Sequence, residues 1–488
     1  MKKFGIAAVL LLALALIAPW GVGQLAKRRV NDGLDQLIEA APYLGIVERK
    51  YTPGWFRSEM EVTFEVRSPA MGALNPAAAL IESMKHAGAA GEPPRQEAPA
   101  AEAPAADAPA PLSPMVRFTV RNEILHGPVL GLSGVGLARI HSWLVLDENV
   151  RQEIVDVFGT DEPLRVSTRV GFFGGAVTSF SSDAHTVKIK GDSTELSWDD
   201  LDLDVGYSRN LDTFDVSGDW PRLEIKDAKE GIQFLMRDMN LESRARRKKG
   251  DLYDSDLKFS IAEVRIVGAD KTRTGISDFR YTVATGDDGD FTSVAVRVGS
   301  GAIESAELGA LGLDVQAFHN DITLRRLHTA TLVRLLAALR DSYEKPASAI
   351  AASAAVLDPI KEQGLELFKH DPEFVIDRIG IETPLGAGYL KGVIRLKGVT
   401  EKDLKMGALS LIARIDAELS FEAPQKMLDA IQGGPAAVGI AVDEGYAERK
   451  ADKVVSKLEF HQGELKINGK AQGIPGLGTH GPAPRTSE

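Results

Sequence analysis

Apolar and polar residues alternate at every second position over much of this chain, and that period most narrows what it can fold into. Between Ser58 and Arg67, Met60, Val62, Phe64 and Val66 alternate with Glu59, Glu61, Thr63, Glu65 and Arg67. The period recurs in Leu164/Val166/Thr168/Val170, Leu201/Leu203/Val205/Tyr207, Leu257/Phe259/Ile261 and Leu411–Phe421. Successive strand side chains point to opposite faces, so each segment predicts a strand with one covered and one wetted face. Such strands belong to antiparallel sheet; parallel strands are buried on both sides and read as continuous apolar runs. Parity changes between Trp198 and Leu201 and between Ile261 and Val264. Each change requires a bulge or a new strand if the apolar groups are to stay on one side.

Other periods interrupt the strands. Leu324, Leu327, Thr331, Leu332, Leu335, Leu336, Leu339 and Tyr343 recur mostly at three and four residues, which predicts a helix, and a helical region is placed at 323–370. Further helices are read from Gln425 and near Glu444–Ser456. A last hairpin runs from Leu458/Phe460 to Leu465/Ile467 around Gln462-Gly463. The fold class expected is α+β: an elongated, mainly antiparallel, curved sheet partly covered by helices at about 323–368 and 425–456. The organisation expected is a membrane anchor helix at 1–25, a first helix and strand at 26–68, and an Ala/Pro-rich insertion at 69–114. A β-rich region at 115–322, the helical region at 323–370, an α+β region at 371–472 and a tail at 473–488 follow. Insertion and tail are too poor in apolar residues and too rich in proline or glycine to pack, and are expected to be disordered.

The N-terminus addresses the chain to a compartment. Met1-Lys2-Lys3 precedes an apolar run from Phe4 to Ala18, then Trp20 and the basic cluster Lys27-Arg28-Arg29. This is the layout of a bacterial export signal. Gly21-Val22-Gly23 beside bulky Trp20 is a poor cleavage site, so an uncleaved signal anchor in the inner membrane is expected, held through residues 4–25 with the body in the periplasm. From Ala26 to Ala41 the chain is expected to continue as a helix, with Asp35, Gln36 and Glu39 towards water.

Composition removes several kinds of chemistry. The chain has no cysteine, which excludes disulfides and thiolate sites, and its net charge of −12 disfavours nucleic acid as a partner. The nine histidines show no metal-ligand spacing, and neither a cofactor nor a metal is expected. Asp287, Asp288 and Asp290 lack the ligand order of a calcium loop and read as a hairpin turn. His126 in His-Gly-Pro is a candidate base or ligand, but reads more simply as a histidine bonded to a loop carbonyl beside a tight Gly127-Pro128 turn. Tyr51 with the Gly54-Trp55-Phe56 turn is a candidate aromatic grip, against a strand entry whose rings close the end of the core. Arg244, Arg246, Arg247, Lys248 and Lys249 form the one dense basic cluster of the body. It is a candidate contact for anionic lipid, against a solvated hairpin tip.

Three segments carry a resemblance. Tyr51-Thr52-Pro53-Gly54-Trp55-Phe56-Arg57-Ser58, Glu123-Ile124-Leu125-His126-Gly127-Pro128 and Gly463-Glu464-Leu465-Lys466-Ile467-Asn468-Gly469 follow the anchor in that order. Together they resemble the YdgA-like family of uncharacterised bacterial envelope proteins, over roughly Lys2 to Gly469. The resemblance implies an anchored periplasmic protein with no assigned activity, and it transfers no catalytic residue. Structural roles are expected for Tyr51, Gly54, Phe56, His126, Gly127, Pro128, Gly463, Asn468 and Gly469. The expected function is non-enzymatic binding of a lipid or other amphipathic ligand along the curved sheet. The alternatives are an envelope scaffold that binds partner proteins, and a hydrolase in which His126 meets an Asp or Glu.

Overall fold

The computed structural model describes residues 25–36, 38, 44–66, 116–130, 134–188, 193–344, 363–406 and 408–472. The expected anchor, apart from Leu25, the whole of the 69–114 insertion and the 473–488 tail lie outside them. No described helix is long and apolar enough to cross a membrane.

The N-terminal strands are β1 (Leu44–Thr52), β2 (Arg57–Val66), β3 (Val116–His126), β4 (Ala138–Val145), β5 (Arg165–Val170) and β6 (Ala176–Ser182). Short β7 (His185–Lys188) and β8 (Thr194–Trp198) precede β9 (Leu201–Tyr207). The central strands are β10 (Thr213–Asp227), β11 (Ile232–Lys249), β12 (Leu252–Val267), β13 (Arg273–Asp288), β14 (Phe291–Ser300), β15 (Ile303–Glu304) and β16 (Ala317–His328). The chain closes with β17 (Glu373–Thr383), β18 (Gly386–Leu396), β19 (Ile415–Pro424), β20 (Glu448–Lys450), β21 (Lys453–His461), β22 (Glu464–Ile467) and β23 (Lys470–Gln472). All pair antiparallel in one sheet that does not close on itself. Its ladder follows chain order from β1 to β6, passes to β9 through β14, then to β16 through β19, and ends on β21, β22 and β23. At ~4.8 Å between strands, the ladder is on the order of 80 Å across.

Register carries one apolar face through the whole ladder. Val205, Val216, Ser243, Leu257, Val283 and Val296 lie side by side from β9 to β14. The row continues through Ile322, Ile376, Gly392, Leu419, Leu458 and Ile467. The opposite face is charged: Asp204, Glu242, Lys258, Arg297, Asp321 and Arg378 occupy the adjacent row. Cross-strand ion pairs lace it, such as Arg121 to Glu61 and Arg117 to Glu65, both 2.8 Å. Each such exposed pair is worth about 0.2–1 kcal/mol, so they set register more than they hold the sheet.

Helices cover the two ends of the apolar face. Helix α1 (residues 25–36) lays Ala26, Val30 and Leu34, with Ile38 beyond, against Met60, Val62, Phe64, Ile124, Ala138 and Ile140. The four-residue spacing puts those side chains on one helix face. Asp35 stays outside, as expected, and accepts a hydrogen bond from Arg49. At the other end α4 (Gln425–Ala430) and α5 (Gly434–Asp443) bury Val438 with Ala447 and Val454. Between these clusters Leu257, Val283, Val296 and Ile322 are only half-buried.

Several expectations are corrected. Leu324 and Leu327 belong to β16, and the helix, α3, starts at Thr329 and runs to Glu344. Their helix-like spacing of three comes from a bulge: Leu324 faces Val294 while Leu327 faces Thr292, with Arg326 at φ +58° between them. Residues 444–456 are no helix; a turn at Gly445 leads into β20 and β21, where Val454 pairs with Ala423 of β19. Helix α2 (Glu148–Phe158) interrupts the region read as strands; Val150, Ile154, Val157 and Phe158 recur at helical spacing, and Phe158 packs against Trp198, although no residue of the helix is fully buried. The parity change at Trp198/Leu201 is the expected new strand. That at Ile261/Val264 is not a bulge, since the register is the same on both sides of it. Instead Pro221, Asp238, Ala262 and Asp278 form one line across β10–β13, with Asp238 at φ +50° and Asp278 at φ +47°. A left-handed residue in mid-strand turns the following side chains over, so adjacent strands exchange faces together.

Where β16 meets α3, the His328 and His370 rings stack 3.8 Å apart. His328 Nδ1 bonds Thr331 Oγ1 at 2.8 Å. Burial first, then the neighbouring His328 and Arg334, hold His370 below the usual histidine range; Glu366 and Asp371 oppose this. The folded state therefore binds the His370 proton less readily than the unfolded chain does. Stability is expected to be flat above about pH 7.5 and to fall as pH drops through the ordinary histidine value near 6.5. Thermal midpoints across pH 5–8 check this, and His370→Gln is expected to make the acid side of the profile shallower.

Candidate functional site

Beneath α1 the apolar face is not filled. A cavity of about 560 Å³ lies between Arg29, Val30, Gly33 and Leu34 of the helix and a floor formed by β2–β6, β9 and the start of β10. Val62, Phe64, Val120, Ile140, Val205 and Phe214 supply most of that floor. Four of its polar members satisfy one another or the backbone: Ser142 Oγ donates to Asn122 Oδ1 at 2.7 Å, Asn122 Nδ2 donates to the Met60 carbonyl, and the Thr168 and Thr178 hydroxyls are 2.9 Å apart; the Tyr207 hydroxyl has no hydrogen bond to a described residue. The floor therefore makes little hydrogen-bonding demand on an occupant, and what it offers is apolar area.

The rim differs. Arg29 reaches it from α1, and Arg209 from the loop joining β9 to β10. Arg209 lays its aliphatic stem over Gly174, where a Cβ would sit 2.9–3.2 Å from that stem. The loop is clamped from outside: Tyr253 donates to the Leu211 carbonyl at 2.8 Å, and Arg247 reaches the Asn210 and Leu211 carbonyls at 3.4 Å.

The basic cluster at the end of β11 is largely compensated. Lys248 meets Asp287 at 2.7 Å, Arg247 meets Asp212 at 3.4 Å, and Arg244 stands 3.9 Å from Asp215. Arg246 and Lys249 have no ion pair to a described residue.

The N-terminal family-motif residues gather at one end of β2 and β3. His126 is buried, with Nε2 3.0 Å from Ser58 Oγ and Nδ1 3.2 Å from the Trp55 carbonyl. The carbonyl can only accept, so Nδ1 carries the proton and Ser58 donates to Nε2. No carboxylate is among its described hydrogen-bond partners. The Phe56 carbonyl accepts the His126 amide at 2.9 Å. Gly127 lies so close to the Gly136 carbonyl that a Cβ would sit 1.8 Å from its oxygen, and the following Gly127–Pro128 bond is cis. Gly54 similarly abuts the Arg57 carbonyl. Tyr51 packs on the α1 cluster, with the Lys27 ammonium 4.9 Å from its ring centre. Gly463, Asn468 and Gly469 sit at the far end of the ladder, all at positive φ; Asn468 Oδ1 accepts the Lys457 amide at 2.9 Å and Nδ2 donates to the Gly445 carbonyl. Among the described residues no group of His, Asp and Glu could hold a metal ion.

His126→Ala is expected to cost about 1–3 kcal/mol, since the buried Ser58 hydroxyl loses its acceptor and keeps only the Gly54 amide that donates to it. Chemical denaturation checks this, and an unchanged midpoint would remove the structural role.

Fold and site define an open, two-faced antiparallel sheet that keeps an apolar cavity under its N-terminal helix. The chain belongs to DUF945, a family of bacterial proteins of unknown function, whose model matches residues 1–473. No curated protein and no solved structure matches it.

Proposed function

We propose that this protein binds the acyl chain of a membrane amphiphile in the cavity beneath α1, without catalysis. The observation that carries the reading is the cavity: about 560 Å³, floored mainly by apolar side chains, with Ser142, Asn122, Thr168 and Thr178 already hydrogen-bonded. Ligand cavities are typically about 300–1,000 Å³ and mostly apolar with few polar groups. The half-buried row from Leu257 to Ile322 continues the same face and offers apolar area beyond the cavity. We place the body in the bacterial periplasm, tethered to the inner membrane through residues 4–25, which would bring α1 next to the lipid it draws on. Within its family we group the chain with the YdgA-like members, on the order of its Tyr51–Ser58, Glu123–Pro128 and Gly463–Gly469 segments.

The test is native mass spectrometry with lipid extraction on the full chain purified from its own host. A stoichiometric acyl species is expected. An empty protein, with a tight protein partner found by crosslinking, would replace this reading with an envelope scaffold.

A further inference from the structure

We propose that the cavity mouth selects an acyl chain that ends in an oxyanion, a carboxylate or a phosphate, through the guanidinium groups of Arg29 and Arg209. This rests on the acyl-binding reading and adds the chemistry of the headgroup.

Arg29 and Arg209 line a cavity whose floor, the Tyr207 hydroxyl apart, is apolar or internally satisfied. The Nε of Arg29 is buried and has no hydrogen-bond partner among the described residues, so it is closed to a ligand as it is to water. Neither guanidinium is ion-paired to a described residue, although ion pairs cover the opposite face of the sheet. Asp32 lines the same rim without bonding to either, which leaves the rim one positive charge in excess. Guanidinium presents a planar fork of donors that matches carboxylate and phosphate oxygens in pairs. Arg209 is also held in place: Gly174 admits its stem, and Arg247 and Tyr253 pin the carbonyls of the two residues that follow it. The basic cluster thus enters the site through Arg247, as a positioning residue for the loop. Free phosphate would use the rim and leave the apolar floor empty, so the ligand favoured is a headgroup carrying its chain.

The experiment is equilibrium binding of labelled palmitate, labelled hexadecanol and inorganic phosphate to the full chain held in amphipol. Palmitate is expected to bind at least about tenfold tighter than hexadecanol. Arg29→Gln with Arg209→Gln is expected to abolish that preference, with palmitate losing far more affinity than hexadecanol, and an unchanged circular dichroism spectrum and thermal midpoint check that the variant folds. Arg209→Gln alone, on an exposed loop, is expected to lose part of the preference. Millimolar phosphate is expected not to displace palmitate. Equal affinity of the wild type for both chains, or a preference that survives in the double variant, would overturn the headgroup inference and leave acyl binding standing. Arginine-dependent phosphate binding that displaces palmitate would assign the rim to a free anion and overturn it too. If neither chain binds, the acyl reading fails with it.

Discussion

Ile124→Ala is expected to destabilise the α1 end of the sheet by about 2–5 kcal/mol. Ile124 is wholly buried on β3, between Ser58 of β2 and Ile140 of β4, within the cluster that α1 covers. Truncation removes its transfer free energy and leaves a void that close-packed neighbours fill only in part. In an open ladder each strand touches mainly its neighbours, so the loss should appear locally before it appears globally. Amide hydrogen exchange on β2–β4 is the sensitive readout, and protection there should fall while β17–β21 keep theirs. Leu144, on the same face of β4 but 52% exposed, is the control, and its replacement by alanine should cost far less. Equal effects at the two positions would mean that α1 does not seat on the sheet.

Val205→Trp is expected to weaken acyl binding by at least about tenfold while the protein stays folded. Val205 projects from β9 into the cavity, between Thr178 of β6 and Val216 of β10. An indole there occupies space that a chain would use, and room already exists for it, so overpacking strain is small. Asp204, one residue earlier, faces the charged side and accepts from Ser179. Asp204→Asn should therefore leave binding unchanged. Isothermal titration with palmitate separates the two variants, and undiminished affinity in Val205→Trp would place the ligand elsewhere.

The sheet was legible because alternation is a local signal that survives tertiary packing. Met60/Val62/Phe64, Leu201–Tyr207 and the last hairpin, where Leu458 faces Ile467 and Phe460 faces Leu465, all lie as their period predicts. Two of the misreadings fell where a backbone irregularity imitates another period. A single extra residue at Arg326 spaced two strand leucines three apart, and left-handed residues on neighbouring strands reversed parity without inserting anything. Neither is visible within one strand, because the partner strand defines both. The cavity was half legible. Its floor follows from the one-faced strands, but which apolar groups stay uncovered depends on how α1 sits. Arg29 reads in sequence as a charge flanking the apolar N-terminal run, and Arg209 as an ordinary turn residue; the fold alone brings them to one rim.

The pairing of β2 with β3 runs in register out to Val66 opposite Val116. The described ladder of this hairpin thus reaches the two residues that flank the long connection at 67–115. Closing a longer loop costs only about 0.6 kcal/mol for each doubling of its length. This joint is a neutral place for the gene to gain or lose sequence, and one where a reporter domain could be grafted without touching the cavity floor.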